Sequence, residues 1–286
     1  MVEMETAEYW IKRRASEKRK FFEGVKQQEV VIAGKKGKVP IFYYDARAVM
    51  VVLPASARRL RELLPEVYEP ATLIPGVGLV AISAFNYRDT DIEPYNELAV
   101  AIILKRPYAG GVLSQLRRRA FHVYIHYLPV DTEIALRGGV DYYNYPKFIA
   151  EFEWMDKNGE VSCKLSEKGE HILTVHGRKI KAKGSQMLRF YTYLYMDKQP
   201  QWTEFRVNAE QYAMSWMSRG AKVELGEHPV AQELRRTLLS TRPLMYMYLP
   251  KMQAILYGPM ALSPQLMLEL LRSVPKDELK ALMREA

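Results

Sequence analysis

Residues 121–128 read FHVYIHYL, which places Phe121, Val123, Ile125 and Tyr127 at every second position. Successive side chains of a β-strand point to opposite faces of its sheet, so this alternation predicts a strand with one buried face. The same strand-like character recurs along most of the chain and decides the fold class.

Turn signals such as Asn158-Gly159 separate the predicted strands, and helices are few. We predict helices at residues 56–64, from an Asp131 cap to Gly138-Gly139, and at residues 229–239. Runs of strands with few helices favour a β-rich α+β fold with a large antiparallel sheet over alternating βαβ units. The predicted strands are residues 30–32, 39–44, 49–53, 79–87, 98–104, 121–128, 148–154, 161–165, 171–175, 188–196, 205–217 and 244–256.

The composition is that of a globular protein with an excess of positive charge. The 286 residues carry a formal charge of +9, with 48% hydrophobic and 26% charged residues. These values exclude a disordered, collagenous or disulfide-framed chain. A single cysteine, Cys163, permits no internal disulfide and fits a reducing cytoplasm. No stretch approaches the roughly 18 apolar residues of a membrane span, so we expect a cytoplasmic protein without a membrane partner.

The positive charge raises the question of a nucleic-acid partner. Residues 10–20 and 117–119 are basic clusters that could face phosphates. Glu17 interrupts the first cluster, however, and neither a zinc finger nor a helix-turn-helix signature accompanies them. Basic runs are usually solvated surfaces, so we expect no nucleic-acid binding and assign them to a solvated or subunit-contacting surface.

Two patterns that could hold a ligand fail on geometry. Residues 34–38 read GKKGK, which lacks the spacing of a phosphate-binding loop. His122 and His126 have the spacing of a helical zinc pair, but they lie on the predicted strand, where four residues span about 13 Å. We therefore expect no metal site here.

Lys147 is the strongest candidate for chemistry. It follows Pro146 and precedes an apolar, aromatic stretch that would carry it into low-dielectric surroundings. A free lysine has a pKa of about 10.4, so about one amine in 2,500 is neutral at pH 7. Burial or a neighbouring cation can raise that fraction and allow imine formation. The alternative is a strand-end lysine that extends to solvent.

Three short motifs resemble the acetoacetate decarboxylase family in order and spacing. Residues 145–147 read YPK, residues 94–97 read PYNE before an apolar strand, and residues 45–47 read DAR before another. Residues 59–66, RLRELLPE, resemble the helix that follows in the family. The resemblance covers about residues 40–262, most of the chain.

The resemblance implies a large antiparallel sheet curled into a closed cone or barrel around an internal cavity, and a homo-oligomer. It implies that Lys147 forms a Schiff base with a small keto acid, that Glu97 is a pocket glutamate and that Arg47 lies near the substrate carboxylate. No metal or organic cofactor is expected, because the lysine supplies the electrophilic group. The expected substrate-binding residues are Tyr95, Tyr145 and Phe148.

The sequence departs from the family in the pocket itself. Phe148 stands where the family has a second lysine, and Ala81, Ile82 and Ser83 occupy the stretch expected to supply a second glutamate. These departures leave three functions open: decarboxylation of a β-keto acid, imine-based aldol, dehydratase or hydratase chemistry on a larger oxo-acid, and non-catalytic binding of a small acid.

The ends of the chain extend beyond the resemblance. We divide the sequence into a basic helical extension at residues 1–39, the family-like domain at residues 40–262 and a helical tail at residues 263–286. Through residue 38 there are ten Lys and Arg against six Glu, so the extension holds part of the positive excess.

Overall fold

The computed structural model describes residues 20–105, 111–182, 184–196, 199–217, 220–258 and 260–261. The helices predicted before residue 20 and after residue 262 lie outside these ranges. The α-helices within them are α1 (Ala57–Leu63), α2 (Val112–Arg118), α3 (Glu133–Tyr143) and α4 (Pro229–Thr237). The strands are β1 (Gln28–Ile32), β2 (Lys35–Val39), β3 (Ile41–Ser56), β4 (Glu69–Pro70), β5 (Thr72–Ile74), β6 (Val77–Thr90), β7 (Tyr95–Lys105), β8 (Ala120–Tyr127), β9 (Glu151–Lys157), β10 (Glu160–Glu167), β11 (Glu170–Arg178), β12 (Gln186–Met196), β13 (Gln199–Trp216), β14 (Ala221–Leu225), β15 (Met245–Leu256) and β16 (Met260–Ala261).

Seven strands close into a barrel, which confirms the predicted fold class. Their order is β7-β8-β12-β13-β15-β3-β6, and β6 pairs with β7 to complete the ring. The pairings are antiparallel except between β8 and β12, which run parallel. A parallel pair requires a long crossover, and here the crossover contains α3 and the strands β9 to β11.

The barrel has a separate hydrophobic core on each side of its wall. Along β3, Ala48, Met50 and Val52 belong to the core inside the barrel, whereas Val49 and Val51 face outward. The outer core lies between the barrel and a second sheet of order β14-β11-β10-β9. This alternation is the period-two pattern of a strand that is buried on both faces.

Cys163 lies in the outer core, and its thiol is a buried group rather than a reactive one. The residue has no exposed surface, and burial raises the pKa of its thiol. A buried thiol in apolar surroundings stays protonated and unreactive.

Helix α3 differs from its prediction at both ends. Thr132, not Asp131, caps it, and the carboxylate of Asp131 instead accepts hydrogen bonds from the backbone and side chain of Asn96. The helix also continues through Gly138-Gly139 and ends at Asn144, whose φ of 50° is left-handed. The glycines serve close packing within the helix, a tertiary requirement that overrides their usual role as a helix stop.

In the part of the N-terminal extension that the structure describes, a short 3-10 helix at Lys20–Phe22 is followed by a hairpin of β1 and β2, in the stretch where the sequence predicts strands. Strands β1 and β2 pair in antiparallel register, and Ile32 packs beside Gly138 of α3. The hairpin therefore packs against α3. None of the described helices has the length and apolar composition needed to cross a bilayer.

Candidate active site

The barrel encloses a cavity with about 1010 Å³ of space free of atoms, part of it open to solvent. Alternate residues of most barrel strands line it, as on β7, where Glu97, Ala99, Ala101 and Ile103 all face inward. Among the described lining residues, Lys147 and Glu97 alone carry a formal charge. The remaining wall is mostly apolar, with tyrosine hydroxyls concentrated near the charged pair.

Helix α3 contributes one face to the cavity. Ala135, Gly139 and Tyr143 follow at four-residue intervals, so they share one side of the helix, and all three line the cavity. A Cβ added at Gly139 would overlap Cδ and Cε of Lys147. The absence of a side chain at Gly139 is therefore what allows the lysine to lie across the helix.

The backbone after α3 turns sharply to aim Lys147 into the barrel. Asn144 ends the helix, and the amide of Tyr145 donates to the carbonyl of Gly139 at 3.0 Å. The amide of Lys147 then donates to the carbonyl of Tyr145 at 2.7 Å. Pro146 fixes its own φ and accepts a hydrogen bond from Leu128, which ties the segment to the end of β8.

Lys147 and Glu97 form a buried ion pair. The lysine Nζ lies 2.7 Å from Oε2 of Glu97, and their side chains are 5% and 11% exposed. The other carboxylate oxygen accepts a hydrogen bond of 3.3 Å from the hydroxyl of Tyr87. The Nζ also lies 5.5 Å from the centre of the Tyr95 ring, a cation–π distance. A pair held this way presents an amine and a proton acceptor at one point in an apolar wall.

Three tyrosines around Glu97 are held in their neutral form. Burial, followed by the negative charge of Glu97, raises the pKa of Tyr43, Tyr87 and Tyr95 well above its ordinary value. The hydroxyls of Tyr43 and Tyr95 bond each other at 3.0 Å. These groups are proton donors over the whole working pH range and add no negative charge to the site.

Tyr143 presents a hydroxyl that is free for a ligand. Its oxygen is buried and has no hydrogen-bond partner among the described residues, although it lines the cavity. Its ring stacks on that of Tyr145 at 5.5 Å, and the Tyr145 hydroxyl is bonded to Thr192 at 2.7 Å. Sequence reasoning missed Tyr143, for which the one available signal is its position one helical turn after Gly139.

The structure brings together four of the six predicted site residues: Lys147, Glu97, Tyr95 and Tyr145 all line the cavity. Phe148 lies on the other side of the wall, where it packs against the outer core. Its backbone carbonyl accepts a hydrogen bond from Val130.

Arg47 also lies outside the cavity. Its guanidinium donates to Asp156 at 3.1 Å and stacks over the ring of Trp154 at 4.6 Å. The cause is a bulge in β3, where the register with β6 shifts between Tyr43 and Ala46 and both of these residues face inward. One extra residue exchanges the faces of all that follow, so Arg47 points outward. The structure therefore does not place it near a carboxylate bound at Lys147.

The two histidines have separate partners. His122 Nδ1 lies 2.8 Å from the hydroxyl of Tyr193, and His126 Nε2 lies 2.6 Å from Glu233. Across the part of the chain that the structure describes, no three His, Cys, Asp or Glu residues converge on a metal-sized site.

Comparisons with known proteins identify the family and the fold of this chain. A sequence model of the family "Acetoacetate decarboxylase (ADC)" matches residues 30–253. No curated protein matches the chain at a significant level.

Among solved structures, the acetoacetate decarboxylase of Legionella pneumophila is 12% identical with a TM-score of 0.56, over 78% of this chain and 87% of the other. A structure from studies of acetoacetate decarboxylase is 16% identical, with a TM-score of 0.54 over 78% and 89%. The enduracididine biosynthesis enzyme MppR, complexed with pyruvate, is 13% identical, with a TM-score of 0.54 over 79% and 90%. These similarities establish a shared fold, and the family match covers most of the sequence. The chain belongs to the acetoacetate decarboxylase family.

Proposed function

We propose that this protein is a lyase in which Lys147 forms an imine with a β-keto acid and CO2 is then lost. The observation that carries the proposal is the buried 2.7 Å contact between Lys147 and Glu97 in a cavity whose other described lining residues are uncharged. The carboxylate supplies a base for the amine, and the apolar wall limits competing hydrolysis.

Imine formation begins with a proton transfer within the pair. Glu97 takes one proton from the lysine ammonium, and the neutral amine attacks the ketone carbon of the substrate. The carbinolamine hydroxyl then leaves as water with the proton that Glu97 returns. The product is a protonated imine beside a carboxylate, so the cavity keeps one positive and one negative protein charge.

Decarboxylation follows from the electrostatics of that imine. The bond between the carboxylate and the α-carbon breaks, and its electron pair neutralises the iminium nitrogen as an enamine forms. Within the described lining, the substrate carboxylate has no cation other than the imine itself. Its charge is therefore poorly solvated and is relieved when neutral CO2 departs. Protonation of the enamine carbon and hydrolysis release the ketone and restore the lysine.

Tyr143 is expected to hold an oxygen of the substrate, because its buried hydroxyl has no protein partner within the described residues. Tyr143→Phe should lower kcat/KM about 10- to 100-fold, the range for a hydrogen bond to a charged group. It should also raise the thermal midpoint, since an unsatisfied buried hydroxyl costs about 1–3 kcal/mol. Tyr145→Phe is the matched control. It removes the existing hydrogen bond between the hydroxyls of Tyr145 and Thr192, so it should lower the thermal midpoint of unfolding. A destabilised Tyr143→Phe with full activity would contradict this role.

Borohydride trapping tests the proposed function directly. The protein is incubated with acetoacetate and sodium borohydride, and peptide mass spectrometry is used to locate the reduced adduct, which we expect on Lys147. Pyruvate and longer 3-oxo acids are run in parallel. Failure of every acid to label Lys147, in a sample shown to be folded by circular dichroism, would remove the imine mechanism.

A second candidate keeps the imine and changes the reaction to aldol addition, dehydration or hydration of an oxo-acid. It is favoured by Ser83, which lines the cavity on the stretch expected to supply a second glutamate. Product analysis by NMR separates the two, because CO2 is released from the substrate in decarboxylation alone. Trapping without turnover of any acid would instead favour a binding protein.

A further inference from the structure

The lumen of the barrel continues well past the charged pair. From Glu97 to Ile103, both lining the cavity on β7, the strand advances six residues, or about 20 Å. At the usual strand tilt of a barrel this corresponds to about 15 Å along its axis. Acetoacetate bound at Lys147 occupies a small part of that length.

Small side chains keep this far half of the lumen open. Ser83 pairs with Ala99 and Ala81 pairs with Ala101 across β6 and β7, and all four line the cavity. Side chains on the rest of the wall, such as Val123 and Met247, are apolar. An uncharged tube with small residues on one wall is shaped for an apolar chain, since each buried methylene contributes favourably to binding.

At the far end, a layer one side chain thick separates the lumen from an apolar groove on the surface. Val52, Ile103, Phe121 and Met245 line both the lumen and the groove. The groove therefore continues the lumen toward solvent at the end opposite Lys147.

The outer lip of this groove is unusually apolar for an exposed surface. Leu73, Leu113 and Trp216 line it and are 45%, 74% and 54% exposed. Ile74 and Met217, the chain neighbours of two of them, are 60% and 71% exposed. Adjacent exposed apolar residues of this kind mark a place where an apolar ligand or partner is bound.

We infer that the substrate of Lys147 is a 3-oxo acid with a long unbranched apolar chain, whose tail lies along the lumen toward the groove. The inference rests on the proposed imine chemistry and adds the substrate class. The oxo group and carboxylate meet the pair at Lys147, and the chain displaces solvent from the small-residue half of the tube.

A chain-length series tests the inference. Acetoacetate, 3-oxooctanoate and 3-oxododecanoate are compared by kcat/KM and by borohydride labelling of Lys147. Because each buried methylene is expected to strengthen binding about fourfold, the four additional methylenes of 3-oxooctanoate should raise kcat/KM over acetoacetate by roughly 250-fold. Equal or falling values with chain length would overturn the inference.

Two variants probe the tube and the groove separately. Ala101→Phe fills the lumen and should lower the ratio of kcat/KM for 3-oxododecanoate over acetoacetate by at least about tenfold. Trp216→Ser changes the exposed groove and should lower the same ratio less than Ala101→Phe does, because a layer of side chains separates the groove from the lumen. Val31→Ser, at an equally exposed apolar residue on the hairpin by α3, is the control and should leave the ratio unchanged. An unchanged ratio in Ala101→Phe, folded by circular dichroism, would overturn the inference.

Binding of dodecanoate, which has no oxo group and cannot form an imine, is measured by calorimetry with the full chain. We expect one site per chain, lost in Ala101→Phe. If acetoacetate labels Lys147 but dodecanoate does not bind, or binds equally to Ala101→Phe, the substrate class is wrong and the imine mechanism stands. If none of the three oxo acids labels Lys147, the proposed function itself fails.

Discussion

Lys147→Ala is expected to abolish turnover of every keto acid, with a fall in kcat/KM of about 10⁴-fold or more, because loss of a covalent nucleophile is among the most damaging changes in an active site. The same change leaves Glu97 buried without its counter-charge. Breaking a buried pair on one side costs about 3–5 kcal/mol, so the thermal midpoint should fall as well. Turnover is measured by NMR and stability by thermal unfolding followed by circular dichroism.

Lys147→Arg is the control that separates the two effects. Arginine keeps a positive charge for Glu97 but forms no imine with a ketone, so activity should be lost while much of the stability is retained. The retained stability would show that the loss of turnover in the alanine variant is chemical. An arginine variant with more than a trace of activity would contradict the imine mechanism.

Gly139→Ala should inactivate the enzyme from a position that carries no functional group. The new Cβ would occupy the space of Cδ and Cε of Lys147, so the lysine must leave its position across α3. Its Nζ would then lose the contact with Glu97. Misplacement of a reacting group by about 1 Å can cost about 100-fold in rate, and we expect a loss of kcat/KM of at least that size.

Gly138→Ala provides a control one residue away in the same helix. Its added Cβ would meet Ile32 at 3.4 Å, an ordinary contact, and would not touch Lys147. Alanine is favoured over glycine inside a helix by about 0.5–1 kcal/mol, so this variant should be slightly more stable. Equal activity in the two alanine variants would show that Gly139 does not position the lysine. Borohydride labelling of Lys147 should be slow in Gly139→Ala alone.

Much of the candidate site could be predicted because it is encoded in short, contiguous motifs. Two short motifs, at residues 145–147 and 94–97, can be recognised without knowledge of the fold. They contain Lys147, Tyr145, Glu97 and Tyr95, and in the structure all four line one cavity. The strand pattern predicts the fold class for the same reason, since alternation is a local property.

The failures arise where a single residue or a distant contact decides the outcome. The family resemblance places Arg47 near the substrate carboxylate, and the bulge in β3 that turns it outward has no signature in the sequence. The glycine pair in α3 predicts the end of the helix, but the helix continues through it because Gly139 makes room for the side chain of Lys147. Tyr143 belongs to no motif, and its free hydroxyl becomes visible when the surrounding hydrogen bonds are known.

The parallel contact between β8 and β12 has a consequence for how the protein reaches its native state. It pairs Ala120 with Arg189, about 70 residues further along the chain, and the segment between them contains α3 and Lys147. Long-range pairings form slowly, because the entropy of closing the intervening loop is lost before the contacts are gained. Lys147 lies within the loop that this pairing closes, whereas Glu97 lies on β7, before it. Imine-forming activity should therefore return during refolding only as the barrel closes. The time course of this closure can be measured by borohydride labelling of Lys147.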